Sequence, residues 1–153
     1  MSSHRTHVTD NAAQLARLRA LVARASDADL ARPMPGGWTI ASVLGHVAFW
    51  DQRALILIER WRRDAADAPG PIGAGDVDWI NDAGKPLALA IAPRRAAELA
   101  VASADAVDRA VAALPDDFIA RNAAAGHPIS LDRAAHRREH LDEIEQVLAS
   151  GRA

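Results

Sequence analysis

The chain has 153 residues, half of them apolar and a quarter charged, so length and composition predict one folded domain over residues 1–153 and exclude a disordered chain. Acidic and basic residues are interspersed and the net charge is −2. This balance argues against nucleic-acid binding, because the chain lacks a strong positive field to hold a phosphate backbone. The absence of cysteine excludes disulfides and any thiolate supplied by the chain.

Alanine is abundant and strand-favouring residues are sparse, which favours helices. The first predicted helix runs from about Asp10 to Ala25, with apolar residues at helical spacing. We expect the polar residues 1–9, which include His4 and His7, to form a flexible tail. The first ten residues, "MSSHRTHVTD", lack the apolar stretch of a secretory signal.

The string "RPMPGGW" ends the first helix with two prolines and two glycines. Thr39 is the predicted N-cap of a second helix, which extends to about Ala65 and is apolar nearly all round in its middle. "DAPGPIGAGD" predicts a loop, after which Asp76 caps a short helix over "VDWIND". Pro86 suits the first turn of a further helix.

A third long helix is predicted from Pro93 to about Leu114. Ser130 is the predicted N-cap of the last helix, from about Leu131 to Ala149. Four long helices joined by polar loops predict an all-α protein, an up-down-type four-helix bundle or a variant of one. Such bundles bind metals and ligands between facing helices.

The last helix contains "HRREH", in which His136 and His140 lie one turn apart. At about 100° per residue, His140 and Val147 fall within about 40° of His136, so both histidines belong to a core-facing stripe. By the same count, Arg137 and Arg138 are predicted to point away from it.

His46 lies on the apolar stripe of the second helix, with Val43, Trp50 and Leu57. Three inward imidazoles from two helices predict a metal site with an open position, suited to zinc or nickel. The alternative from the residues alone is that these histidines are hydrogen-bonded members of the core.

"HRREH" also fits the H-x-x-E-H pattern of one class of zinc peptidase, but that class needs a glutamate ligand well downstream. Glu143 and Glu145 lie on the same helix and are poorly placed to be that ligand. Glu139 is therefore only a weak catalytic candidate beside a metal-bound water or an external thiol. A di-iron bundle is excluded because no histidine here has the Glu-x-x-His partner.

Three strings together, "GGWTIASVLGHVAFWDQR", "DVDWIND" and "HRREHLDEIEQVL", resemble the DinB-like superfamily, which includes mycothiol- and bacillithiol-dependent enzymes. The resemblance spans most of the chain. It implies a four-helix bundle with one divalent metal, held by His46, His136 and His140. It also implies a homodimer. Trp50, Arg53 and Asn81 are candidates for substrate binding, with Arg53 directed toward an anionic thiol or substrate.

The three inward histidines predict a metal-dependent enzyme that acts on a small molecule. The resemblance implies thiol transfer, isomerisation or hydrolysis as its reaction. The bound metal would activate a low-molecular-weight thiol or water. The alternative is a non-catalytic bundle that binds a metal or ligand. The longest apolar run, "ALILI", is too short to cross a bilayer, so we expect a cytoplasmic protein without a membrane partner.

Overall fold

The computed structural model describes residues 3–151 and confirms the all-α class. Its elements in chain order are α1 (Ser3–Arg24), α2 (Asp27–Leu30), β1 (Pro33–Met34), β2 (Trp38–Thr39), α3 (Ile40–Arg63), α4 (Ala74–Ala90), α5 (Pro93–Ala112), α6 (Asp116–Ala124) and α7 (Ala134–Ser150). The four long bundle helices are α1, α3, α5 and α7. No helix within residues 3–151 has both the length and the apolar character to span a membrane.

The bundle helices form a square in which α1 and α3 each pack against both α5 and α7. The first and last helices run in the same direction. In the first half of α1 the Asn11 side chain bonds the backbone of Ala134, the first residue of α7, and farther along both helices Arg17 pairs with Glu145. Helices α1 and α7 are therefore parallel neighbours.

Helix α3 runs antiparallel to α7. The ring of His46, early in α3, contacts that of His140 in the middle of α7, whereas Asp51 lies farther along α3 and pairs with Arg133 just before α7 begins. This antiparallel pairing brings residues of both helices together at the centre of the bundle.

Helices α3 and α5 run parallel although they are consecutive long helices. Ala41 and Ala97 share one core cluster, and farther along the two helices Ile58 and Val111 share the other. Small alanine side chains on α5 let the two helices approach closely. The bundle order is therefore up, down, down, up, a variant of the simple up-down bundle, and α4 lies in the connection that returns the chain to the start of α5.

The "RPMPGGW" segment forms a two-stranded hairpin in which Pro33 pairs with Thr39. Its turn needs two consecutive residues with positive φ, and Gly36 and Gly37 supply them at φ 75° and 78°. The hairpin carries Trp38 directly into the start of α3.

The predicted flexible tail is wrong for residues 3–9, which form the first turns of α1; residues 1 and 2 lie outside the described range. Val8 packs against the second core cluster, and Asn11 is fully buried one turn later. These contacts with distant residues stabilise a helix start that the polar local sequence does not indicate.

The prediction of a short "VDWIND" helix, with another beginning at Pro86, is also wrong. A single helix, α4, runs through Pro86. A proline inside a helix frees the carbonyl four residues before it, and here Asp82 is exposed, so water can donate a hydrogen bond to that carbonyl. Asp76 does serve the helix start, because its carboxylate accepts the N–H of the N-cap residue Gly73.

Helix α7 begins at Ala134, later than the predicted Leu131, and Ser130 does not cap it. Asn11 of α1 and the local Asp132 cap it instead. Oδ1 of Asn11 accepts the backbone N–H groups of Arg133 and Ala134, both at 2.8 Å, and Oδ1 of Asp132 accepts that of Ala135 at 3.2 Å. The amide of Asn11 also donates to the carbonyl of Leu131 at 3.0 Å.

Candidate metal centre

His46 lies early in α3, on the side that faces α7. The start of α3 is defined as predicted, because Thr39 and Ser42 cap each other's backbone N–H groups at 2.8 and 3.1 Å. The ring of His46 is half-buried between two tryptophans, with centroids 5.7 Å from Trp38 and 6.5 Å from Trp50. Aromatic contacts therefore limit the orientations open to this imidazole.

The one-turn spacing of His136 and His140 on α7 directs both rings at His46. The Nε2 atom of His136 lies 3.2 Å from Nε2 of His46 and 3.1 Å from Nε2 of His140. One nitrogen from each residue lies within 4.8 Å of the other two. The structure thus brings together all three histidines singled out in the sequence.

This convergence of nitrogens fits a divalent metal. Two imidazole nitrogens at about 2.05 Å from a tetrahedral zinc ion are about 3.3 Å apart, close to the separations found here. Hydrogen bonds alone satisfy the three atoms poorly, since two Nε2 atoms compete for the single Nε2 of His136. No fourth histidine, aspartate or glutamate joins the group among residues 3–151, and the chain has no cysteine.

Burial keeps two of these imidazoles neutral. Desolvation, followed by repulsion from His140, lowers the pKa of His46 to about 4. Desolvation is again the largest cause at His136, where the neighbouring histidines and arginines add to it and lower the pKa to about 3. Neutral imidazole is the form that binds a metal, so these two residues are ready to act as ligands at neutral pH.

The second ring nitrogens differ in their surroundings. Nδ1 of His140 lies 3.3 Å from Oε2 of Glu143, a carboxylate that can orient the ring. Nδ1 of His136 is enclosed without a hydrogen-bond partner among the described residues. The position of His136 therefore depends on packing and on its two histidine neighbours.

Two cavities open beside the three histidines. The first, about 670 Å³, reaches from His46 and His140 to the hairpin and the end of α7, with walls that include Trp38 and Val147. The second, about 450 Å³, is lined by all three histidines and by Trp50, Val77, Asn81, Arg133 and Glu139. A bound metal would therefore be reachable by a small molecule from either cavity.

The family model of the DinB superfamily matches residues 11–148. The chain belongs to the DinB superfamily. Comparisons of this DinB-superfamily chain with curated proteins and with solved structures gave no match. Membership and the three-histidine group together identify a helical bundle with a site that could hold a metal ion.

The four other candidate residues have different positions around this site. Trp50 donates from Nε1 to Oδ1 of Asn81 at 2.9 Å, which joins α3 to α4 in the wall of the second cavity. Glu139 lines the same cavity but is exposed. Arg53 stacks on Trp50, with its Cζ 5.6 Å from the ring centroid, and is absent from the walls of both cavities.

The prediction that Arg137 points away from the core is wrong. Its side chain is 1% exposed, and it donates to Asp51 at 3.0 Å and to both carboxylate oxygens of Asp108 at 2.7 and 2.9 Å. Asp51 also accepts from Arg133 at 2.9 Å. The sequence interpretation missed these four residues, which we call the buried charge network, although Arg137 lies at helical spacing from the apolar Ile144.

Proposed function

We propose that this protein is a divalent-metal-dependent enzyme that acts on a small electrophilic molecule. The observation that carries the proposal is the convergence of three Nε2 atoms next to a cavity of about 670 Å³, with no fourth protein ligand in the group among residues 3–151. Structural zinc sites are closed by four protein ligands, whereas catalytic sites keep a position open for substrate or water.

In this proposal His46, His136 and His140 hold the metal, which is zinc or nickel by the preference of these ions for imidazole. Such a metal supplies Lewis acidity and lowers the pKa of a thiol or water at its open position. The chain contributes no thiol of its own, so thiol transfer or isomerisation requires a low-molecular-weight thiol, whereas hydrolysis requires none.

The surrounding side chains bind and orient the reactants. Trp38, Val43 and Val147 give the first cavity an apolar wall that limits water around the reacting atoms. Asn81, in the wall of the second cavity, accepts the Trp50 indole N–H through Oδ1, so its amide N–H₂ group remains available to donate to a ligand. Glu139 lies in the wall of the second cavity, where an exposed carboxylate can accept a proton from a nucleophile.

The test combines metal content with activity. We expect purified wild-type protein to hold about one equivalent of metal. Replacement of His46, His136 or His140 by alanine should reduce the metal content strongly. His7→Ala is the matched control, because His7 is not in the group. The metal-loaded protein is then assayed against electrophiles with and without several cellular thiols.

Unchanged metal content in all three histidine variants would contradict the proposal. A non-catalytic metal- or ligand-binding bundle is the alternative, favoured if spectroscopy finds four protein ligands around the metal. A homodimer, a small-molecule partner and a cytoplasmic location remain predictions from the sequence and the family resemblance.

A further inference from the structure

The second cavity has a wall rich in hydrogen-bond donors. Arg133 and Asn81 lie in this wall beside the three histidines, and Glu139, an exposed residue, is its one acidic member among the described residues. Since a bound metal would add further positive charge, the cavity favours a ligand that is negatively charged and rich in acceptors.

Arg133 is held in place from one side only. Its side chain is 9% exposed, and its Nε donates to Oδ1 of Asp51 at 2.9 Å. The two terminal amino groups of Arg133 make no hydrogen bond to any residue within 3–151. They are also not among the buried polar atoms that lack a partner in this range. Their edge is therefore free to bind a ligand in the cavity that Arg133 lines.

The buried charge network holds Arg133 in this orientation. Asp51 and Asp108 balance Arg133 and Arg137, so the four residues are neutral together. Arg53 adds an unbalanced positive charge nearby: its guanidinium stacks on Trp50 and forms no ion pair among the described residues. Burial, followed by repulsion from Arg133, lowers the pKa of Arg53.

We propose that Arg133, assisted by the amide of Asn81, recognises a carboxylate on the substrate or thiol that enters the second cavity. This inference rests on the proposed metal centre, which would hold the reacting end of the same molecule. A guanidinium edge matches the two oxygens of a carboxylate, and charge-assisted hydrogen bonds of this kind are stronger than neutral ones. Arg133 is thus a specificity-determining residue rather than a metal ligand.

The experiment uses cobalt(II)-loaded protein and two probes that differ only in charge, 3-mercaptopropionate and its neutral amide. Thiolate binding to cobalt is followed by the ligand-to-metal absorption band. We expect the wild-type protein to bind the carboxylate probe roughly tenfold or more tightly than the amide. Arg133→Gln should remove this preference, and Arg133→Lys should keep part of it.

Arg138→Gln is the matched control, since it removes the same charge from an exposed position on α7, the helix that Arg133 directly precedes, and should keep the preference. Equal affinities of the two probes for the wild-type protein would overturn the inference while leaving the metal centre intact. This comparison needs no variant, so it stands if Arg133→Gln does not fold. Failure of the wild-type protein to take up cobalt would overturn the proposed metal centre, and this inference with it.

Discussion

Arg137 is the largest of the fully buried side chains in the described range, and it lies between two carboxylates from different helices. Burying a charge is costly unless it is paired and its hydrogen bonds are satisfied. Asp51 on α3 and Asp108 on α5 provide that compensation, so one residue of α7 is tied to the adjacent helix α3 and, across the bundle, to α5.

The burial of Arg137 could have been recognised from spacing. Arg137, Leu141, Ile144 and Leu148 follow the i, i+4, i+7, i+11 pattern of a buried helical stripe, and all four are buried. The rule that charged residues face solvent misleads here, because the carboxylates that permit burial are remote in sequence. The histidine pair was easier to place, since both of its members lie on one helix.

At the residue scale, Asp51→Asn should destabilise the protein strongly, because it leaves the buried Arg133 without its charge partner and leaves Arg137 with Asp108 alone. We expect a loss of about 3–5 kcal/mol in the free energy of unfolding, measured by urea denaturation without metal. Asp105→Asn is the control: Asp105 pairs with Arg19 and Arg109 near the surface and should cost less than about 1 kcal/mol. Similar losses in both variants would show that the buried charge network is not the stabilising feature.

At the scale of elements, the start of α7 depends on α1. Asn11 satisfies two N–H groups at the beginning of α7 and one carbonyl just before it, across more than 100 residues of chain. Because α7 carries His136 and His140, the same contact helps to define where two proposed metal ligands lie along the bundle axis.

Asn11→Ala should therefore weaken both folding and the metal site. Loss of the cap and of the bond to Leu131 is expected to cost about 2 kcal/mol in the free energy of unfolding. Metal affinity, measured by competition with a chromogenic chelator, should fall as the start of α7 frays. Thr9→Ala, at an exposed position on α1, should change neither quantity appreciably, and an equal effect of the two substitutions would refute this role of Asn11.

Elements with local signals were predictable from sequence. Thr39 begins α3 through a cap four residues long, and Pro93 begins α5 at a position where proline is well tolerated. Elements determined by distant contacts were not. The start of α7 depends on Asn11 of α1 in addition to the local Asp132. Helix α4 continues through Pro86 against the usual effect of proline, on an exposed part of the surface.

At the scale of the whole molecule, the proposed metal joins two helices that are distant in sequence. Its ligands come from α3 and α7, so binding should favour the folded state by mass action. At a free metal concentration of about 100 times Kd, the expected stabilisation is about 2.7 kcal/mol, which corresponds to a rise in Tm of about 5–10 °C for a chain of this size.

Thermal unfolding with excess zinc or nickel, compared with chelator-treated protein, measures this rise. His136→Ala should show no metal-dependent shift, whereas His7→Ala should retain it. A shift that persists in His136→Ala would place the stabilising metal elsewhere on the protein.

The bundle itself and its three-histidine site follow from helical periodicity and from the family resemblance. The parallel direction of α3 and α5 could not be predicted in this way. It depends on how the connection through α4 packs, and the composition of the loops does not indicate that packing. The cavities could not be predicted from the periodicity of single helices either, since their walls combine α3, α4, α7 and the hairpin.

The parallel arrangement of α1 and α7 has a practical consequence for protein engineering. Two parallel neighbours begin at one pole of the molecule and end at the other, and Ser150, in the last turn of α7, lines the first cavity. A polyhistidine tag fused after the last helix would therefore start near the first cavity, and its imidazoles would compete with the three histidines for the metal. A tag placed before α1 emerges at the opposite pole, which makes it the better choice for metal measurements.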